Sequence, residues 1–183
     1  MKAQAQPAVV VLASGRGERF VASGGQGSKL QALLGGKAVL ERTLDAVRAS
    51  GLPFHLENAG HDGMGDSIAA GVRATPDAGG WLILPGDLPL VLPESLIAVA
   101  TALASHQVVL PIYQGRQGHP VGFAPGCGSA LKRLKGSHGA ASIVRTFAAL
   151  NAVCRLEVDD EGTVTDIDTV QDLRAAQRLL ASR

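Results

Sequence analysis

Val9 to Lys29 reads VVVLASGRGERFVASGGQGSK: an apolar run enters a glycine-rich segment that ends on a lysine. Glycine-rich loops after strands suit phosphates, because backbone N–H groups can approach the oxygens where no Cβ stands between. Three phosphate chemistries use such loops. A dinucleotide site needs G-x-G-x-x-G, but in Gly15-Arg16-Gly17-Glu18-Arg19-Phe20 a phenylalanine takes the last place. The third glycine allows close helix–strand packing, so its loss counts against that use. A P-loop needs G-x-x-x-x-G-K-[ST], whereas Lys29 lies between Ser28 and Leu30. The third option keeps the cations. Gly15 and Gly17 would offer backbone donors, while Arg19 and Lys29 would neutralise a triphosphate and its pyrophosphate leaving group. The spacing alone suits equally well a turn-forming loop with solvated charges.

Other residues could join this chemistry. Asp87 follows Leu84-Pro85-Gly86, just past an apolar run, where a carboxylate suits a magnesium ion shared with phosphates and water. Asp166 and Asp168 are two apart and would share one side of a strand. One of them, Asp168 ahead of Asp166, could complete a metal site; both could equally cap the last helix or be solvated. His119, between Gly118 and Pro120, is tightly placed, although a lone histidine is more often structural. Gly63, Gly65 and Ser67 precede a helical pattern, so the segment is either an anion-binding helix start or an ordinary cap by Asp66 or Ser67. Cys127 and Cys154 form no C-x-x-C pair and read as two reduced thiols. No Cys–His or Ser–His signature supplies a nucleophile.

The elements that must hold these residues are legible as patterns. Val9–Ala13, Trp81–Leu84 and Val108–Ile112 are short continuous apolar runs, as expected of strands buried on both faces. Pro53–Asn58, Pro120–Phe123 and Ala152–Val158 are further strands, the second of them suited to run antiparallel. Helices are expected from Val39 to the stop at Gly51, over Asp66–Ala74, from Pro93, over Ser142–Leu150 and from Thr169, which with Asp172 forms a box-like cap. Strands alternating with helices give an α/β layered domain with a mostly parallel sheet, whose ligands bind beyond the carboxyl ends of the strands. The loop after Ala13 and Asp87 both lie there. The chain of 183 residues fits one domain, residues 1–183, and its 46% hydrophobic content is enough to fold. A net charge of +1 and 3% aromatics speak against a nucleic-acid partner. The start MKAQAQPAVV lacks the apolar stretch of an export signal, and no run approaches the roughly 20 apolar residues of a membrane span, so a cytoplasmic protein is expected.

Taken together, several segments resemble one family. Leu12-Ala13-Ser14-Gly15-Arg16-Gly17-Glu18-Arg19-Phe20, then Lys29-Leu30, resembles the signature loop of the MobA-like nucleotidyltransferases, roughly L-A-[AG]-G-x-[GS]-x-R-[FM]-G followed by K-L. Gly63 to Gly71 resembles G-M-G-x-S-[LI]-x-x-G, and Leu84 to Pro89 resembles L-x-x-D-[ML]-P. Pro111 to Val121 resembles P-x-Y-x-G-x-x-G-H-P-V, and Val164 to Leu173 the closing V-x-D-I-D-T-x-x-D-L. These segments span nearly the whole chain. The second and fourth are most similar to the cytidylyltransferases that make molybdopterin cytosine dinucleotide.

The resemblance implies a three-layer, Rossmann-like nucleotidyltransferase fold and transfer of a nucleoside monophosphate, CMP from CTP, onto molybdopterin with release of pyrophosphate. It implies Mg2+ as cofactor and a molybdoenzyme as a possible partner. By matching positions, Arg19, Lys29 and Asp87 would be catalytic. Leu12, Ala13, Ser14, Gly15, Gly17, Arg19, Lys29, Gly63, Gly65 and Ser67 would bind nucleotide, His119 the acceptor, and Asp87 with Asp168 the metal. A non-catalytic nucleotide- or pterin-binding accessory protein and a sugar-phosphate nucleotidyltransferase are the alternatives. The chain departs from the pattern in three places. Val21 replaces a glycine and Ser23-Gly24-Gly25-Gln26-Gly27 lengthens the loop. Only 11 residues separate Gly51 from Gly63, so one strand–helix unit should be lacking and the sheet a strand narrower there. In Gly136-Ser137-His138-Gly139-Ala140, near the expected acceptor site, Ser137 and the following Ala141 stand where the family carries aspartate and arginine.

Overall fold

A computed structural model describes residues 5–183; the first four residues of the opening segment, part of the stretch read as no export signal, lie outside them. In chain order the elements are β1 (Ala8–Leu12), α1 (Glu18–Ala22), a 3-10 turn (Lys29–Gln31), β2 (Leu33–Leu34), β3 (Lys37–Ala38), α2 (Val39–Ser50), β4 (Phe54–Glu57) and α3 (Met64–Ala74). They continue with β5 (Trp81–Pro85), α4 (Pro93–Ala102), β6 (Val108–Tyr113), β7 (Arg116–Gln117), β8 (Val121–Phe123), α5 (Gly128–Leu131), α6 (Ala141–Ala149), β9 (Val153–Glu157) and α7 (Val170–Ala181).

The main sheet runs β4-β1-β5-β8-β6, with β7 and β9 both on β6. The β1–β4, β1–β5 and β6–β9 pairs are parallel. As its sequence suggested, β8 runs antiparallel to both neighbours. Side chains alternate across the sheet. Val9, Val11, Leu82 and Leu84 enter one core with α2 and α4, whereas Val10, Trp81 and Ile83 enter the other with α3, α5 and α6. Each fully buried valine or leucine contributes about 1.5–3 kcal/mol, and β1 has Val9, Val10 and Val11 without exposed surface. A single strand, β4, fills the short interval before Gly63 and is the last strand on that flank. Among the described residues no helix is long and apolar enough to cross a membrane.

A third apolar cluster decides where the glycine loop goes. Phe20 of α1 and Leu30 of the 3-10 turn pack with Leu34, Leu90, Ile167 and Ala176 of α7. The lengthened segment wraps this anchor: Gly25 N–H donates to the Phe20 carbonyl at 3.0 Å. A Cβ on Gly25 would overlap the Phe20 ring. Ser23 Oγ accepts from Val170 N–H at 2.9 Å, which ties the loop to the start of α7. That helix opens on the expected capping box of Thr169 and Asp172.

A buried carboxylate fixes the returning chain. Asp160 accepts from Leu92 N–H, the Ser95 hydroxyl and Gly162 N–H at 2.8, 2.8 and 2.9 Å, and from Arg183 at 3.3 Å. Asp160→Ala would strand these buried donors, so it should lower unfolding free energy by about 3 kcal/mol in a urea titration. An unchanged midpoint would contradict that role.

Candidate active site

The carboxyl ends of β1 and β5 face the same way because the strands are parallel, and each releases one half of the site. Beyond β1, Ala13 N–H donates to the Glu57 carbonyl at 2.8 Å and the Ser14 hydroxyl to the same oxygen at 3.4 Å. The chain then turns at Gly17, whose φ of 64° is left-handed and favours glycine, and α1 begins. Gly15 is different: nothing lies within 4 Å of where its Cβ would stand. Its side is open to whatever enters the cavity.

Beyond β5, Gly86 N–H donates to the Leu12 carbonyl at 2.9 Å, and the Gly86 carbonyl accepts from the Thr43 hydroxyl at 3.0 Å. Asp87 is thereby fixed, and its own carbonyl accepts from Ile167 N–H at 3.0 Å. That bond brings the segment of Asp166 and Asp168 alongside. The two aspartates lie on irregular chain rather than a strand, and they do different things. Asp166 lines the cavity, while Asp168 turns to the cations.

Lys29 joins the two halves. Its Nζ donates to Asp87 Oδ2 at 2.6 Å and to Asp168 Oδ1 at 2.7 Å. The three side chains are 12%, 14% and 21% exposed, so water screens them little. Arg19 Nη1 sits 2.7 Å from Asp168 Oδ2 on a side chain that is 77% exposed. Burial alone would lower the Lys29 ammonium, but the Asp87 charge and the hydrogen bonds to Asp168 and Asp87 hold it above its ordinary 10.5. Burial raises Asp166, and the Asp87, Asp168 and Asp172 charges raise it further.

These loops enclose a cavity of about 590 Å3, a size typical of small-molecule sites. Of the sequence-predicted residues, Leu12, Ser14, Gly15, Gly17, Arg19, Lys29, Gly63, Ser67, Asp87 and His119 line it. Ala13, Gly65 and Asp168 do not, although Asp168 reaches its lysine and arginine. Gly65 spends its N–H on the Gly136 carbonyl at 2.8 Å. A Cβ on Gly63 would collide with Gly136, so these glycines admit the Lys135–Gly136 backbone against α3. His138 lines a separate cavity.

Sequence reasoning missed the wall at the far end: Arg16, His61, Asp62 and Met64. Behind it, the buried Glu57 accepts from His55 Nε2 and His61 Nε2 at 3.2 and 3.1 Å and from Ala59 N–H at 3.1 Å. Burial would raise Glu57, but these hydrogen bonds hold it below the usual carboxylate range. The x-H-x-E spacing on β4 was the available signal.

His119 stands between the main cavity and a second one of about 320 Å3. The second has apolar walls from Ile83, Val121 and Phe123 and polar edges from Gln117, His138 and Arg145. His119 is held by its N–H to the Thr163 carbonyl at 2.9 Å, and its Nδ1 is buried without a partner.

The residues suit a hard divalent cation. Asp87 Oδ1 is also buried and unpartnered, and the neighbouring donors are carboxylate oxygens. Among the described residues no three acidic, histidine or cysteine side chains form a chelating group by themselves. A cation here would therefore complete its shell with phosphate oxygens and water, as magnesium does.

Known proteins resemble this chain in sequence and in fold. Residues 44–153, more than half of the chain, match the MobA-like NTP transferase domain. The glycine loop precedes that segment. Purine catabolism protein PucB of Bacillus subtilis (strain 168) is 30% identical over 130 residues, 70% of this chain and 62% of that protein. The chain thus spans less than two-thirds of that relative's length. A Methanothermobacter nucleotidyl transferase, Mth528, is similar with a TM-score of 0.79 at 20% identity, over 97% of this chain and 99% of that one. Rv0371c of Mycobacterium tuberculosis H37Rv, in complex with manganese, is similar with a TM-score of 0.72 at 22% identity, over 96% and 100%.

Burial pushes the His119 imidazole below its ordinary 6.5, against the opposing pull of the Asp87 and Asp166 charges and the Ile83 carbonyl. The unfolded chain therefore binds that proton more readily, and stability falls as pH drops below 6.5 towards the lower folded-state value. Between about pH 7.5 and about pH 5.5 the wild type should lose more stability than His119→Gln in denaturant titrations. Equal losses would contradict the neutral, buried imidazole.

Proposed function

Since the chain belongs to the MobA-like NTP transferase family, we propose that it moves CMP from CTP onto the phosphate of molybdopterin and releases pyrophosphate. The observation that carries this reading is the Lys29 ammonium held between Asp87 and Asp168 beneath an open glycine loop. A triphosphate needs those parts: backbone donors, mobile cations and carboxylates for a divalent ion. CTP and molybdopterin rest on the resemblance of the Gly63–Gly71 and Pro111–Val121 segments.

In this reading Gly15 and Gly17 let backbone N–H groups reach phosphate oxygens, and Gly63 and Ser67 present the start of α3 to the nucleotide. Arg19 and Lys29 neutralise charge on the β- and γ-phosphates and on departing pyrophosphate. Asp87 and Asp168 would hold Mg2+, with Asp166 beside them. Held there, such an ion would supply positive charge to offset the negative charge that grows during transfer. The manganese complex of a structural relative supports a divalent ion in this fold.

The acceptor's phosphate attacks the α-phosphorus directly, so no side chain need act as nucleophile, in keeping with the lack of a Cys–His or Ser–His pair. Positioning does most of the work. His119, at the junction of the two cavities, orients the acceptor as a neutral imidazole. The second cavity supports a planar acceptor with an anionic group: its walls are apolar and Arg145 stands at its edge. A cytoplasmic site of action and hand-over of the product to a molybdoenzyme belong to the same reading.

Pyrophosphate release with Mg2+ tests the proposal, with CTP, GTP and other triphosphates set against molybdenum cofactor and sugar phosphates. CTP with molybdenum cofactor should turn over, and Asp87→Asn should lower the rate at least about a hundredfold. No release with any pair, or full activity in Asp87→Asn, would overturn it. Gly15→Ala gives a second check. Its Cβ enters open space, so the melting temperature should hold while the KM for triphosphate rises about tenfold. An unchanged KM would remove Gly15 from the nucleotide site.

A further inference from the structure

The same ammonium cannot serve the carboxylates and a triphosphate in the same way at once. Lys29 Nζ lies 2.6 Å from Asp87 Oδ2 and 2.7 Å from Asp168 Oδ1. A divalent cation that takes both carboxylates must take over those contacts. Two close carboxylates in a poorly screened site repel unless a proton or a cation offsets them, and here Lys29 supplies the cation.

The surroundings give Lys29 a second position. Its backbone is fixed: Ser28 caps the 3-10 turn and Leu30 is buried. Its stem lies against the glycine loop, with Cγ 3.6 Å from where a Gly17 Cβ would stand. Beyond that point rotatable carbons carry a compact charge, and the side chain lines the same cavity as Gly15 and Gly17. Rotation about those bonds would carry Nζ from the carboxylates towards a phosphate seated on the loop. Arg19, paired with Asp168 from an exposed side chain, can follow.

We propose that Lys29 is a built-in counter-ion that makes divalent cation and triphosphate bind as one unit. It occupies the seat between Asp87 and Asp168 and yields it when phosphate draws the ammonium away. This rests on the nucleotidyl-transfer reading and adds to it a rule of assembly. Cation alone competes with an ammonium already in place, and triphosphate alone must pull that ammonium off two carboxylates. Together each relieves the other. By linkage the factor is reciprocal, so triphosphate raises cation affinity as much as cation raises triphosphate affinity.

Binding of Mn2+ to the full chain, followed by electron paramagnetic resonance, reads this without turnover. The probe nucleotide is a CTP analogue with a methylene bridge between its α- and β-phosphates, and its own Mn2+ binding in buffer is measured separately. For the wild type, saturating analogue should raise Mn2+ affinity roughly tenfold or more. Lys29→Gln should bind Mn2+ more tightly than wild type without analogue, and the gain from analogue should shrink. Lys29→Arg, which keeps the charge, should bind Mn2+ alone as weakly as wild type. The wild-type comparison stands even if a variant fails to fold.

Equal wild-type Mn2+ affinity with and without analogue would overturn the proposal and leave nucleotidyl transfer standing. So would unchanged or weaker Mn2+ binding by a folded Lys29→Gln. If the wild type binds no analogue at any Mn2+ concentration, the functional reading falls and this inference with it.

Discussion

Two carboxylates held close together in a half-buried site repel unless positive charge offsets them, and this protein's site is organised by that repulsion. The Lys29 ammonium bonds Asp87 and Asp168, residues 58 and 139 positions further along the chain. One side chain thus joins the glycine loop after β1, the loop after β5 and the segment before α7. Coulomb attraction at these distances is strong only because the groups are shielded from water. The same shielding makes the arrangement intolerant of an uncompensated charge. Any ligand that enters must exchange one charge balance for another.

The fold delivers the three parts to one place by simple means. Parallel pairing of β1 and β5 puts both loops at one end of the sheet. The Gly86 bond to the Leu12 carbonyl and the Ile167 bond to the Asp87 carbonyl then set their separation. The cluster of Phe20, Leu30, Ile167 and Ala176 clamps the loop against α7 from outside. Asp160 pins another 3-10 turn, Glu161–Val164, whose Thr163 carbonyl takes the His119 N–H. The apolar packing of this outer layer thus supports the placement of polar groups inside.

The main strands were legible because a fully buried strand must be apolar on both faces, as Val9–Val11 and Leu82–Leu84 are. The antiparallel β8 and the capping box at Thr169 were also legible, each from a few local residues. Short elements were not. The five residues of α1 and the β2–β3 hairpin form because Phe20, Leu30 and Leu34 find partners in α7, far away in sequence. The candidate site was half legible. Residue types and spacing named Arg19, Lys29 and Asp87, yet they could not show Lys29 paired with aspartates. Asp166 and Asp168 would share a face on a strand, but irregular backbone puts Asp166 on the cavity wall and Asp168 against Lys29 and Arg19. The contact of Gly65 with Gly136 is tertiary and has no local trace. His55 and Glu57 left only the two-residue spacing on β4, and His61 joins them from the following loop.

What Lys29 does when nucleotide arrives is the central question. The most direct measurement is a crystal structure with Mn2+ and the methylene-bridged CTP analogue. The triphosphate should lie on the Gly15–Gly17 loop, Mn2+ on Asp87 and Asp168, and Lys29 Nζ on phosphate oxygens. Nucleotide bound elsewhere, or an intact Lys29 bridge to both aspartates beneath a bound triphosphate, would contradict it.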